Sequence, residues 1–181
     1  QYSILNTLTA VAPSKASAVA VAEQADRMMA AAQTATEALE KLARAPSAKL
    51  VGLAGRQRML SQRMAKHYFL MAAGVEPKAS QTQMNADAAE FKQALQALAA
   101  APVSTAAIRS ELDLGQAQWL FFETAMRRSP DAQGMAAVAT TSFQAQGVEI
   151  DVEFVVHDDD PIGCDAVERG EPGDGTSRDV H

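Results

Sequence analysis

The sequence predicts an all-α protein: an antiparallel four-helix bundle with long, heptad-patterned helices, followed by an irregular acidic C-terminal tail. Three observations carry this expectation. Of 181 residues, 38 are alanine and only 5% are aromatic, a composition that suits close-packed helices better than a sheet core. Four stretches repeat apolar residues at alternating spacings of four and three, which puts them on one helical face. A proline or glycine interrupts the chain after each stretch, where helices are expected to stop.

Taken in order, the first stretch is Val21, Ala25, Met28, Ala32, Ala35, Leu39 and Leu42, closed by Pro46. The second is Leu53, Leu60, Met64, His67 and Met71, with Gln57 filling one slot, closed by Gly74 and Pro77. The third is Met84, Ala88, Phe91, Leu95 and Leu98, closed by Pro102. The fourth is Ile108, Leu112, Gly115, Trp119, Phe122 and Met126, closed by Pro130, with Ser104 and Thr105 as N-cap candidates. Short connections between long helices favour antiparallel neighbours.

An internal repeat sets the domain organisation. Residues 1–22 align without gaps onto 118–139, an offset of 117, with Gln1, Thr7, Pro13, Ala20, Val21 and Ala22 meeting identical residues. Tyr2 faces Trp119, and Ile4 and Leu5 face Phe121 and Phe122. The expected division is therefore 1–14 as the end of a preceding repeat, 15–142 as the helical bundle, and 143–181 as an acidic, largely disordered tail. The first residue is Gln1 rather than Met, so the chain reads as processed or as a fragment.

The two copies part after Ser142. The second is expected to turn at Phe143 and then alternate Val148, Ile150, Val152 and Phe154 with Glu149, Asp151 and Glu153, a strand-like period of two. A lone strand has no partner in a helical chain. The tail reads as foreign to the repeat, from a shifted reading frame or a divergent terminus, or else as a disordered extension.

Charge separates the same two regions. The whole chain has 16 Lys+Arg against 22 Asp+Glu, but residues 147–181 hold 11 of the acids and only Arg169 and Arg178 as bases. The tail is thus −9 and the body +3. The net −6 argues against a general nucleic-acid binder. A single cysteine, Cys164, excludes an internal disulfide framework and a cysteine-based zinc finger. There is no uninterrupted run of eighteen apolar residues, so no membrane span is expected. No paired His/Glu ligand motif, phosphate loop, dinucleotide fingerprint or nucleophile elbow occurs. The expected protein is not an enzyme and carries no cofactor or metal. His67 falls in a core stripe, and His157 precedes a solvated acidic run, Asp158 to Asp160.

One segment carries chemistry. From Ala45 to Val75 there is no acidic residue, yet the window holds Lys49, Arg56, Arg58, Arg63 and Lys66. Helix surfaces usually intersperse opposite charges, so this helix is expected to carry an unneutralised positive field. On a helical wheel, Leu53, Leu60, Met64, Tyr68 and Met71 form the core stripe, and Arg56 and Arg63 share one flank. Arg58 points nearly away from the core, among Val51, Ala54, Gln62, Ala65 and Phe69. Small residues there let another helix approach, and a guanidinium in such a seam needs a counter-charge. A small planar anion would satisfy it bidentately. Across a two-fold axis, two copies of Arg58 would share it. The plainer alternative is a solvated arginine that contributes little.

The run Leu53-Ala-Gly-Arg-Gln-Arg-Met-Leu-Ser-Gln-Arg-Met-Ala-Lys66 resembles the signature of the type IV pili methyl-accepting chemotaxis transducer N-terminal (PilJ-type) family. The subset Gly55-x-x-Arg58-Met59-x-Ser61-x-Arg63 is also similar to the anion-binding motif of nitrate/nitrite sensor kinases, from which Gln57, Leu60 and Gln62 depart. The resemblance spans roughly residues 15–142. It implies a helical, periplasmic, non-enzymatic sensory module that recognises a small oxyanion, nitrate or nitrite, across a homodimer axis. It further implies Arg58 as ligand, Gly55, Met59 and Ser61 as motif neighbours, Arg63 in support, and a membrane signalling partner. The alternative from another class is a structural or interaction bundle whose basic face docks an acidic partner and which binds no small ligand.

Overall fold

A computed structural model describes residues 2–43, 46–102 and 105–146 of the chain. The strand-like alternation at 148–154, the acidic tail, His157, Cys164 and Ser104 lie outside these residues. Among the described residues there are six helices and no strand: α1 (Tyr2–Thr9), α2 (Lys15–Ala43), α3 (Pro46–Ala72), α4 (Pro77–Ala99), α5 (Ala106–Met126) and α6 (Ala132–Gln146).

The four periodic stretches lie in α2, α3, α4 and α5. Thr105 is the N-cap of α5, and its side chain accepts a hydrogen bond from the Ile108 N–H at 3.2 Å. The connection after α3 is a Schellman motif. The Val75 N–H reaches the Leu70 carbonyl and the Gly74 N–H reaches that of Met71, and Gly74 supplies the left-handed conformation this requires (φ +68°). Pro77 then opens α4 at a position where its missing N–H costs nothing. The expected turn at Phe143 is displaced, because α6 continues through Gln146. Gln and Ala are good helix formers, so nothing local stops the helix at Phe143.

The helix boundaries follow the 117-residue offset found in the sequence. Thr9 ends α1 and Met126 ends α5; Lys15 begins α2 and Ala132 begins α6. Capping follows it too. Ser14 Oγ accepts from the Ser17 N–H at 3.0 Å, and Asp131 Oδ1 accepts from the Gly134 N–H at 2.8 Å.

Helices α3, α4, α5 and α6 pack in a closed circuit: α3 on α4, α4 on α5, α5 on α6, and α6 back on α3. Helix α2 leans on the outside of α3, and α1 packs on α2. Contacts fix direction. Along α3, His67, Arg63 and Arg56 meet Ser80, Asp87 and Glu90 in turn, so α3 and α4 are antiparallel. The core enclosed by the circuit contains Leu60, Met64, Tyr68, Met84, Phe91, Trp119, Phe122 and Val138. Phe91 stacks on Trp119 at 4.4 Å between ring centroids, and Phe122 meets Trp119 edge-on at 6.1 Å. Aromatic residues are few, and three of them are spent on this one layer.

Tyr68 ties α3 to the α5–α6 turn. The ring is fully buried, and its hydroxyl donates to the Ser129 carbonyl at 2.8 Å and the Arg128 carbonyl at 3.2 Å. A Cβ at Gly134 would sit 2.1 Å from the Ser129 carbonyl oxygen and 2.2 Å from the Tyr68 hydroxyl. Glycine at 134 is what allows this approach.

Candidate functional site

The basic segment lies in the middle of α3, and tertiary contacts alter its expected charge. Arg56 pairs with Glu90 of α4, and Lys66 pairs with Asp26 of α2. Arg63 grips Asp87 bidentately, Nε to Oδ2 at 2.8 Å and Nη2 to Oδ1 at 2.5 Å. Asp87 is 0% exposed and also accepts from Gln83 Nε2 at 2.7 Å. The hydrogen bonds that Arg63 donates to Asp87 raise its pKa above the ordinary value, against the opposing pull of burial. The unneutralised positive field expected from α3 alone is therefore corrected: carboxylates on two neighbouring helices cancel most of it. Acidic residues absent from a helix can be supplied across a packing interface.

Arg58 is different. It is exposed, and among the described residues it is the only arginine of α3 that forms no ion pair. Gly55, one turn earlier, shares the exposed face, and a Cβ there would meet nothing within 4 Å. Ser61 lies inside, 1% exposed, with its hydroxyl donating to the Arg58 carbonyl at 2.9 Å. It thus braces the turn that carries Arg58. Met59 and Arg63 face another way, into a cleft between α2, α3 and α4. The fold brings Arg58 and Gly55 together on one face and separates them from Met59 and Arg63. On the Arg58 side, Ala65 is covered in the core, and Gln62 Nε2 donates to the Ser142 carbonyl of α6 at 3.4 Å. The small-residue seam is thus partly closed by α6 at its C-terminal end.

The cleft has a volume of about 370 Å³. Helix α2 contributes Asp26, Met29 and Ala30, and α3 contributes Arg56, Met59 and Arg63. His67 stands at its edge. Burial lowers the pKa of His67, with Lys66 adding repulsion, so the ring is neutral at pH 7. Its Nδ1 is 3.5 Å from the buried Ser80 hydroxyl. Reading α3 by itself missed Asp26, Asp87, Glu90 and this cleft. The available signal was the pair Asp87 and Glu90, three apart on the next helix and able to face Arg63 and Arg56 in an antiparallel hairpin.

Gln57, the polar residue in the core stripe, is 8% exposed, and its amide N and O have no partner among the described residues. The Trp119 indole N–H is also buried and has no partner among the described residues. Among the described residues no group of three or more His, Cys, Asp or Glu is placed to hold a metal. None of the described helices is long and apolar enough to cross a membrane.

No curated protein and no solved structure matches the chain. A family model does match, over residues 43–143, more than half of the chain and the segment that holds the closed circuit of α3 to α6. With its basic α3 signature seated in that circuit, the chain belongs to the family of type IV pili methyl-accepting chemotaxis transducer N-terminal (PilJ) domains.

Proposed function

We propose that this sensory module is a periplasmic four-helix bundle that recognises a small oxyanion, nitrate or nitrite, at Arg58 across a homodimer axis. The observation that carries the reading is the contrast among the α3 arginines. Arg56 and Arg63 have carboxylates from α4, whereas Arg58 has none among the described residues and stands on an exposed face beside Gly55. A planar anion supplies the missing counter-charge and accepts two parallel N–H bonds from a guanidinium. Bound between two copies, it favours one helix arrangement over another by its differential affinity for the two. In a longer transducer, that shift passes to a membrane signalling partner. Residues 1–14 then belong to a preceding repeat, in keeping with the helix ends and caps that α1–α2 share with α5–α6.

The rival reading, an interaction bundle with a basic docking face, loses support from the same contacts. Arg56, Arg63 and Lys66 are engaged by carboxylates of the protein itself, so an acidic partner would have to displace them.

The test is a thermal-shift titration with nitrate, nitrite, sulfate and chloride at matched ionic strength, on wild type and Arg58→Ala. Ligand at a hundredfold excess over its Kd stabilises by about 2.7 kcal/mol, or roughly 5–10 °C at this chain length. A nitrate- or nitrite-selective shift that disappears in Arg58→Ala is expected. Equal shifts in wild type and variant, or none in a folded dimer, would sink the proposal.

A further inference from the structure

An anion at Arg58 leaves the cleft between α2, α3 and α4 unexplained, since Arg58 is not among its lining residues. We propose that this cleft binds a small zwitterion of the apolar α-amino acid class. Its carboxylate sits on the guanidinium groups of Arg56 and Arg63, its ammonium on Asp26, and its side chain against Met29 and Met59.

The size fits. A cleft of about 370 Å³ lies at the lower end of the range for small-molecule sites. The two guanidinium groups converge although they are seven residues apart. Arg56 pairs with Glu90, and Arg63 Nη2 is 4.0 Å from the same carboxylate. Neither guanidinium is saturated. Arg56 commits only its Nε, and Arg63 its Nε and Nη2. Among the described residues, both Nη groups of Arg56 and the Nη1 of Arg63 have no hydrogen bond to another side chain. These are fork-shaped donors of the kind that read a carboxylate.

Charge balance selects a zwitterion over a simple anion. Arg56, Arg63 and Lys66 face Asp26, Asp87 and Glu90, so the site sums to zero with His67 neutral. An added anion would take the free Nη donors but leave an excess negative charge beside Glu90 and Asp87. A zwitterion adds none, and Asp26 offers its second carboxylate oxygen, since Lys66 takes Oδ1. Between the charged groups Met29, Ala30 and Met59 form an apolar strip of wall, flanked by the amides of Gln33 and Gln83. Methionine adapts to the shape of an aliphatic guest at little cost.

The experiment is isothermal titration of the whole chain with three probes: L-leucine, 4-methylpentanoate, which lacks the ammonium, and 3-methylbutylamine, which lacks the carboxylate. Two variants accompany it. Ala30→Leu fills the cleft without touching an ion pair, and Asp26→Asn removes the ammonium partner; circular dichroism confirms that each is folded. Saturable binding of L-leucine is expected, with at least a tenfold loss of affinity for either analogue and in either variant. The proposal is overturned by no L-leucine binding to folded wild type. It is equally overturned by 4-methylpentanoate binding as tightly as L-leucine, or by undiminished L-leucine binding in Ala30→Leu.

Discussion

Replacing Asp87 by asparagine tests the central electrostatic contact of the fold. The carboxylate is fully buried and takes two hydrogen bonds from Arg63 and one from Gln83. The amide is nearly isosteric, so packing is preserved while the charge is lost together with one acceptor oxygen, whose place is taken by an NH2 facing a donor of Arg63 or Gln83. Breaking a buried pair by neutralising one partner costs about 3–5 kcal/mol, mostly because the other charge is stranded. Two features reduce this. The Arg63 side chain keeps 22% exposure, and Glu90 stands 4.0 Å from its Nη2 and can take part of the charge. The expected loss is therefore about 2–3 kcal/mol, a substantial share of the stability of a typical domain. Urea melts followed at 222 nm, at pH 7 in 0.15 M salt, measure it as a lower midpoint at unchanged slope. Raising the salt to 1 M should leave the loss in place, since a buried pair is screened little. The double replacement Arg63→Met with Asp87→Leu should recover at least half of it, because no charge is then stranded. The raised pKa of Arg63 sets the sign of the pH dependence. Its contribution is fully present below the unfolded value and is lost only as pH climbs through the still higher folded value. The pair should thus add no drift between pH 6 and 10. A loss under about 0.5 kcal/mol, or one that vanishes at high salt, would show that Asp87 is not the buried partner described.

Further tests bear on other contacts. His67 has a depressed pKa, caused first by burial. Its stabilising neutral state is complete above the unfolded value near 6.5 and is lost as pH falls from there toward the folded value. The melting temperature of wild type should fall between pH 7.5 and 5.5 more than that of His67→Asn; parallel curves would rule His67 out as the cause. Gly134→Ala places a methyl against the Ser129 backbone and the Tyr68 hydroxyl and should cost about 1–3 kcal/mol in a denaturant melt. Gly52→Ala meets only the flexible carboxylate end of Glu40, which can swing aside. The helix-propensity gain of up to about 1 kcal/mol should make that change neutral or stabilising. If the two glycine variants melt alike, the close approach at the α5–α6 turn is not what glycine 134 serves.

Particular residues show how far local sequence reading reaches. The apolar spacing that ends at Met71 and Leu98 marked helices that end at Ala72 and Ala99, because period, breakers and caps are all short-range. Thr105 as an N-cap was legible for the same reason, since a cap bonds only three residues ahead. The offset of 117 was visible too, and the helix ends and caps at both copies follow it. By contrast, the positive charge assigned to α3 was misjudged. Helix α3 has no acid of its own between Ala45 and Val75, but Asp26, Asp87 and Glu90 reach it from α2 and α4.

Apart from α1 and α6, which no apolar stripe marked, and Leu39 and Leu42, which stay exposed, the sequence by itself determined the helices α2 to α5, the breakers that follow them and the family signature at the centre of α3. These depend on interactions between residues a few positions apart. The tertiary structure decided which α3 cations remain free. Ion pairing depends on which helices are neighbours and in what direction they run, and charge spacing within one helix does not specify that. It also decided that Met59 and Arg63 line a cleft while Arg58 and Gly55 face outward. Side chains a few residues apart can project to different neighbours around one helix, so their roles separate only when the surrounding helices are in place.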